Sequence, residues 1–451
     1  MPGDGVSFVA ALQGRYGDDE DKEENETICR IVGGAMGTLA GVRSVVLSAQ
    51  RVSHAGEGLL GGAVAAAGPR QGLLAPQLSE LDLSGNVLED LAEVVTICGA
   101  LPRLSFLNVS RNPLLRRPWT GRPEGRPVGT SRLARLIFDD VVGRSARDGD
   151  GVSQCGEDDD GGTPDRLQGG VCVWSALAKL MDSLGCGDTL VELSVASNGL
   201  DGLWTEDEAP QGCIPWPELK QLRMDGNPLA GGWGGLVANG ALPDGLESLE
   251  VRHCPGIDAI RWASDTNGDN DNAGPCVQRL SRLRTLALNG TPVADWDSVD
   301  ALARLPALRF VDLRGIALGE GTSPALFRSL LIAHLPNLPS PAGHATVGSV
   351  SEQNMGHLNR SPVTRAERLE AHRNFLRHWE GYVEQDRPKR YAALLEELPA
   401  YARPAPVVVG AVAEVTEMKL MSTADRMRAE LRGGARGVDA FDAQDLTHRL
   451  I

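Results

Sequence analysis

Aromatic side chains are scarce in this chain, 4 % of its 451 residues, although apolar residues as a group reach 42 %. So aliphatic a composition suits a core of stacked layers better than a sandwich or an aromatic-rich barrel. Paired cysteines are also missing. The eight cysteines (Cys29, Cys98, Cys155, Cys172, Cys186, Cys213, Cys254 and Cys276) include no C-x-x-C. A secreted repeat protein usually pairs cysteines in its caps, so buried thiols in a reducing compartment are expected. Positive charge is in short supply, with 44 Lys and Arg against 60 Asp and Glu and a net charge of −16. That monopole repels phosphate, which argues against nucleic acid or an anionic membrane as partner. No apolar run approaches the roughly 18 residues of a membrane helix. The opening MPGDGVSFVAALQGRYGDDED has no basic leader and too short an apolar run for a secretion signal. These gaps together predict a soluble cytoplasmic protein.

The groups needed for catalysis are lacking as well. There is no G-x-x-x-x-G-K-[ST], H-E-x-x-H, G-x-S-x-G or strand-linked G-x-G-x-x-G, and the His residues do not cluster with Cys or Asp at metal spacing. Asp265–Asp269 (DTNGD) begins like a calcium loop, but position six is Asn270 rather than Gly and position twelve is Cys276 rather than Glu, so a hydrated surface loop is expected. The acidic triplet Asp158–Asp160 sits in a Gly- and Asp-rich stretch with no scaffold to fix metal geometry. No enzymatic activity, cofactor or metal is expected.

What the chain does have is a repeat. Leu78–Leu88 (LSELDLSGNVL) and Leu104–Leu114 (LSFLNVSRNPL) both read L-x-x-L-x-L-x-x-N-x-L, the signature of a leucine-rich repeat. Leucines two apart point to one side of a short strand, and the Asn amide then turns the chain and satisfies backbone groups. One unit cannot bury its apolar face alone, but a stack can. A worn first unit holds Val42, Val45 and Leu47 with Gln50 at the Asn position. Another, Leu133-x-x-Leu136-x-Phe138, has lost its Asn. The pattern resumes at Leu190–Leu200, Leu219–Leu229, Leu246–Val251 with Cys254 at the Asn position, Leu283–Val293 and Leu308–Leu318, nine units in all. Leu91–Leu101 and Trp296–Leu305 carry helical spacing and are assigned to the convex side.

The fold class read from this is α/β, a leucine-rich-repeat solenoid with a curved parallel sheet on its concave face and helices or loops on its convex face. Residues 1–38 form an N-terminal helix (Ser7–Tyr16) and an acidic linker, and 39–340 the repeats, with an Ala- and Gly-rich link at Gly56–Gly72 and a disordered insertion at 143–170. Residues 341–403 follow as cap and helical segment. The closing elements are an apolar helix at Leu326–Leu338 and a long helix opened by the capping box Thr364–Glu367, with Leu369, Leu376, Trp379 and Val383 on one stripe. Residues 404–451 form a short, degenerate tail.

Side chains between the repeat leucines line the concave face. These are Glu80, Asp82, Phe106, Asn108, Arg135, Ile137, Glu192, Ser194, Gln221, Arg223, Glu250, Arg252, Phe310, Asp312 and Arg314. Mixed charge with two exposed aromatics and several Arg anchors is the composition of a protein-binding groove. A second, basic patch gathers Arg111, Arg116, Arg117, Arg122, Arg126, Arg132 and Arg135 with only Glu124 opposing, and suits an acidic partner segment as well as a solvated loop.

The order of the parts resembles the tubulin-specific chaperone cofactor E group, most of all its E-like branch. SFVAALQGRY resembles that group's helix before the repeats. QLSELDLSGNVLEDLAEV with LPRLSFLNVSRNPL resembles its central repeat pair, and LRTLALNGTPVADWDSVDALARLPAL its tryptophan-bearing repeat. LRGIALGEG and LLIAHLPNL resemble its cap, while VTRAERLEAHRNFLRHW and RYAALL resemble the helices beyond. The resemblance implies repeats that bind α-tubulin or the tubulin heterodimer, together with other tubulin cofactors, on the cytoskeleton. It also implies a ubiquitin-like C-terminal domain, to which Val412–Ile451 corresponds only loosely. Cofactor E proper carries a CAP-Gly domain. The absence of a GKNDG motif points instead to the E-like branch, which dissociates tubulin heterodimers and lowers tubulin levels. Two alternatives stay open: a general repeat scaffold of axonemal or phosphatase-regulatory type, and a tubulin-folding chaperone whose CAP-Gly domain lies upstream.

Overall fold

The computed structural model describes residues 5–16, 41–56, 75–117, 132–142, 173–202, 216–237, 242–262, 279–339, 355–384 and 387–397. The acidic run at 18–26, most of the 56–72 link, the 143–170 insertion, Arg122, Glu124, Arg126, the 265–276 loop and the 404–451 tail lie outside them. The chain divides into two compact units, 1–396 and 397–451, and all that follows concerns the first.

Strand β1 (Val6–Ser7) leads into helix α1 (Phe8–Tyr16), and strands β2 (Ser44–Val46) and β3 (Val52–His54) follow. Next come β4 (Glu80–Asp82), β5 (Phe106–Asn108), β6 (Arg135–Ile137), β7 (Glu192–Ser194), β8 (Gln221–Arg223), β9 (Ser248–Glu250), β10 (Thr285–Ala287) and β11 (Phe310–Asp312). From β2 to β11, omitting β3, these strands pair in parallel in sequence order, each leucine of the L-x-L core beside its counterpart. The nine sequence repeats are therefore nine rungs of one sheet. Each strand is only three residues long because the leucines two apart must both face the core before the chain turns. Leu81, Leu83, Leu107, Leu136, Leu193, Leu222, Leu249 and Leu286 are all buried in one continuous aliphatic stack.

The repeat asparagines turn the chain and tie one rung to the next. The Asn86 amide donates to Leu83 O and, one rung back, to Leu47 O, both at 2.8 Å, while its oxygen accepts from Val52 N at 3.0 Å. Asn112 and Asn227 repeat the arrangement. Where Val141 replaces Asn, Asn198 of the next rung compensates, accepting from Val141 N at 2.9 Å and donating to Phe138 O at 2.7 Å. The Cys254 thiol keeps the backward bond, donating to Met224 O at 3.4 Å. Burial pushes the thiols of Cys98, Cys186 and Cys254 up, Cys186 to about 12, so all three stay protonated at neutral pH.

Between the rungs lie α2 (Leu91–Gly99), α3 (Val173–Leu184), α4 (Gly232–Val237) and α5 (Trp296–Leu302). Asp90 and Asp295 cap α2 and α5 by accepting backbone N–H groups of their first turns. Both helices end sooner than their apolar spacing predicts, because the following residues turn toward the next strand.

The cap closes the stack with α6 (Pro324–His334) and a tenth parallel strand, β12 (His357–Leu358), hairpinned to β13 (Ser361–Pro362). Helix α7 (Arg365–Glu380) packs on α6, and α8 (Lys389–Glu397) follows. Thr364 accepts from Glu367 N at 3.1 Å as the capping box predicts, but the Glu367 carboxylate turns to Arg328, at 2.7 Å. The predicted α7 stripe also needs correction. Ala371, Phe375, Leu376 and Trp379 are buried, whereas Leu369 and Val383 are exposed. The inward face is completed instead by Arg368, which donates to Ile332 O, Leu335 O and Leu338 O at the end of α6. Ile332 O lies in the last turn of α6, Leu335 O also accepts from Leu338 N at 3.3 Å, and Leu338 O lies beyond the helix, so the guanidinium adds bonds here that an aliphatic chain could not make. At the opposite end Tyr16 seals the sheet, its hydroxyl accepting from Val46 N at 3.1 Å.

Candidate partner-binding face

Register places the concave residues in rows. The first row runs Ser44, Glu80, Phe106, Arg135, Glu192, Gln221, Ser248, Thr285, Phe310, His357. The second runs Val46, Asp82, Asn108, Ile137, Ser194, Arg223, Glu250, Ala287, Asp312. Arg252 and Arg314 lie two residues beyond, joined there by Asp139 and Asp225. All the concave residues read from the sequence thus share one face, but they differ in how free they are.

Three clusters organise it. In the first, Arg135 lies over the Phe106 ring and reaches Glu80 at 3.5 Å, and the Asn108 amide donates to Asp82 at 3.2 Å. Phe106 is therefore half-shielded rather than bare. The central cluster alternates charge. Arg223 meets Asp225 at 2.7 Å and Glu250 at 3.8 Å, and Arg252 meets Glu250 at 2.9 Å and Asp225 at 3.3 Å. Beside it Asp139 accepts from the Ser194 hydroxyl and Ala196 N, each at 2.7 Å. Burial pushes the Asp139 carboxyl up, and those hydrogen bonds with the nearby Arg223 charge only partly offset it.

The third cluster ends the face. Arg314 grips Asp312 through two bonds, at 2.8 and 2.7 Å, and Arg360 approaches the same carboxylate at 3.6 Å. Burial alone would raise Asp312, but Arg314 and Arg360 hold it below the usual carboxylate range. Phe310 stacks on His357, with centroids 4.7 Å apart.

Two expectations change here. Ser194 and Asp312 are buried rather than open contact surface, because polar neighbours on the same face close over them. The basic patch is also less naked than it reads, since Glu89 of the preceding turn pairs with Arg116 at 3.4 Å and Arg117 at 3.2 Å, and Arg135 belongs to the concave face. Sequence reading missed Asp139, Asp225, His357 and Arg360. The first two follow from carrying the alternation one step past the strand. His357 and Arg360 follow a gap from the last repeat and carry no leucine pattern.

The rungs, the asparagine ladder and the single polar face of the sheet define the chain as a leucine-rich-repeat solenoid. Comparison with known proteins agrees with the family resemblance read from the sequence: the chain is similar to the tubulin-specific chaperone cofactor E-like proteins. It is 25 % identical to the rat protein of that name over 322 residues, and 26 % to the human one, covering 70 % of this chain and 59 % of each relative. A shorter match, 32 % identical over 125 residues, is to bovine tubulin-specific chaperone E, covering 27 % of this chain and 24 % of that one. The chain thus matches somewhat over half the length of its E-like relatives. No family model matches. Solved structures aligned with it include human 5T4, with a TM-score of 0.32 at 16 % identity covering 73 % of this chain and 88 % of that one. Another is an internalin from Listeria monocytogenes, with a TM-score of 0.29 at 13 % identity covering 73 % of this chain and 83 % of that one. Among the described residues no helix is long and apolar enough to cross a membrane.

Proposed function

We propose that this chain is a non-enzymatic, cytoplasmic tubulin-binding protein. Its concave sheet engages α-tubulin, alone or in the heterodimer, and biases folding, dissociation or turnover of that dimer by binding one tubulin state more tightly than another. The observation that carries this reading is the 322-residue similarity to tubulin-specific chaperone cofactor E-like proteins. The face suits a protein partner: the charges of its central cluster, Arg223 and Arg252 with Asp225 and Glu250, are paired within the sheet, so docking there desolvates neutral pairs rather than isolated ions. Phe106 and Phe310 supply flat apolar area beside arginines. The test is capture of purified tubulin dimer by the immobilised chain. Binding at micromolar concentration that Arg223→Glu weakens is the expected result, and no capture at that concentration refutes it.

A further inference from the structure

The third cluster has a feature the other two lack. Around Asp225 and Glu250 two guanidiniums face two carboxylates, but around Asp312 two guanidiniums share one. The Asp312 side chain is 11 % exposed, whereas Arg314 is 45 % and Arg360 68 % exposed. Their outer N–H groups therefore face solvent, in a chain whose net charge is −16. The Phe310 and His357 rings lie stacked in the neighbouring row, Phe310 itself 37 % exposed.

The backbone fixes this corner. Asn359 and Arg360 both have left-handed backbones, with φ of 53° and 68°, as a two-residue hairpin turn requires. Asn suits that conformation, but Arg does so only under strain. The turn is held from beneath. The Asn359 oxygen accepts from Leu313 N at 2.8 Å, and Arg328 donates to Leu358 O and Pro362 O while paired to Glu367. Arg360 is thus presented over Asp312 by a braced turn.

We propose that this corner, built by Phe310, Asp312, Arg314, His357 and Arg360, anchors an acidic peptide segment of a partner protein. Carboxylates of the segment bond the outer N–H groups of Arg314 and Arg360 in the forked geometry guanidiniums favour, and an apolar side chain lies against the Phe310–His357 stack. Charge complementarity selects the occupant. At the corner two guanidiniums stand against one carboxylate, and this local excess of positive charge beside an aromatic stack favours a carboxylate-bearing segment that also carries an apolar side chain. This rests on the concave sheet being the binding face, and not on tubulin being the partner.

The experiment uses the full chain and a fluorescein-labelled Glu-Glu-Glu-Phe-Glu-Glu-Glu peptide, followed by anisotropy at low ionic strength. Binding is expected to weaken about tenfold in Arg360→Glu and several-fold in Phe310→Ala, and to be unchanged in Arg116→Glu. Arg360→Gly relieves the left-handed strain while removing the guanidinium, so a well-folded Arg360→Gly chain that binds weakly supports the proposal even where Arg360→Glu misfolds. Peptide binding that survives Arg360→Gly, or that disappears instead in Arg116→Glu, overturns it. An Arg360-dependent dimer in sedimentation also overturns it, by making a second copy of this chain the occupant. Tubulin capture is scored separately: its failure removes the tubulin reading and leaves the peptide result intact.

Discussion

Arg135 shades Phe106, its guanidinium carbon 4.8 Å from the ring centroid, and from there reaches Glu80 on the far neighbouring strand. Three adjacent rungs of the first row are joined by one side chain. An aromatic that strand alternation leaves open is thus partly covered by its own sheet, and a partner must either share that cation or move it.

The pair is measurable. A double-mutant cycle of Phe106→Ala and Arg135→Ala in urea denaturation should give a coupling of about 0.5 kcal/mol, the size of a solvent-exposed cation–π contact. Strict additivity would mean that the two side chains do not interact. Phe106→Ala should also weaken tubulin capture without changing the circular dichroism spectrum.

The ladder predicts a larger effect. Asn112 is fully buried, donates to Leu83 O, Val109 O and Ser110 O, and accepts from Leu88 N. Asn112→Ala orphans buried backbone groups on two rungs, and should lower unfolding free energy by about 3 kcal/mol. Thr291→Val removes one bond, to Leu288 O, and should cost about 1 kcal/mol. Equal losses in the two denaturation curves would refute the ladder as the tie between rungs.

The cap of α5 carries a pH signature. Burial favours the neutral acid at Asp295, but bonds from Arg261 and Ser298 outweigh it and hold this carboxyl below its usual range. A depressed folded pKa gives stability that is present above the unfolded value, about 3.9, and is lost as pH falls through the folded one. Asp295→Ala should therefore lower unfolding free energy near neutrality by about 1 kcal/mol of capping energy, seen as a lower melting temperature, and the deficit should shrink below about pH 4. A deficit independent of pH would contradict the assignment.

Asp139 has the opposite sign. Its folded pKa is raised by burial, so its contribution is most favourable below the unfolded pKa and declines as pH rises through the folded one. Asp139→Asn keeps one oxygen to accept from Ser194 and Ala196. Its melting temperature relative to the unmodified chain should rise between about pH 4 and pH 7. A gap that narrows over that range would show that the carboxylate is the favoured form.

The repeat core was legible because leucine spacing and strand geometry are the same statement: Leu81 and Leu83 can both be buried only in a strand that then turns at Asn86. The candidate face was legible for the same reason, since Glu80 and Asp82 must point away from those leucines. What escaped depends on partners remote in the chain. The inward face of α7 could not be read from Leu369 or Val383, because it is set by carbonyls at the end of α6 that Arg368 answers. His357 joins the first row only because the cap folds back beside β11. Whether Phe106 is bare or covered depends on an arginine one rung away.

The two seals described above set a length. Tyr16 occupies Val46 N at one edge, and at the other the hairpin ends in Pro362, which has no N–H to offer. From one to the other the eleven strands, spaced about 4.8 Å apart, measure about 48 Å. A globular partner as long as this chain is roughly 60 Å across. The groove is therefore shorter than one such body, which would overhang it at one end or both.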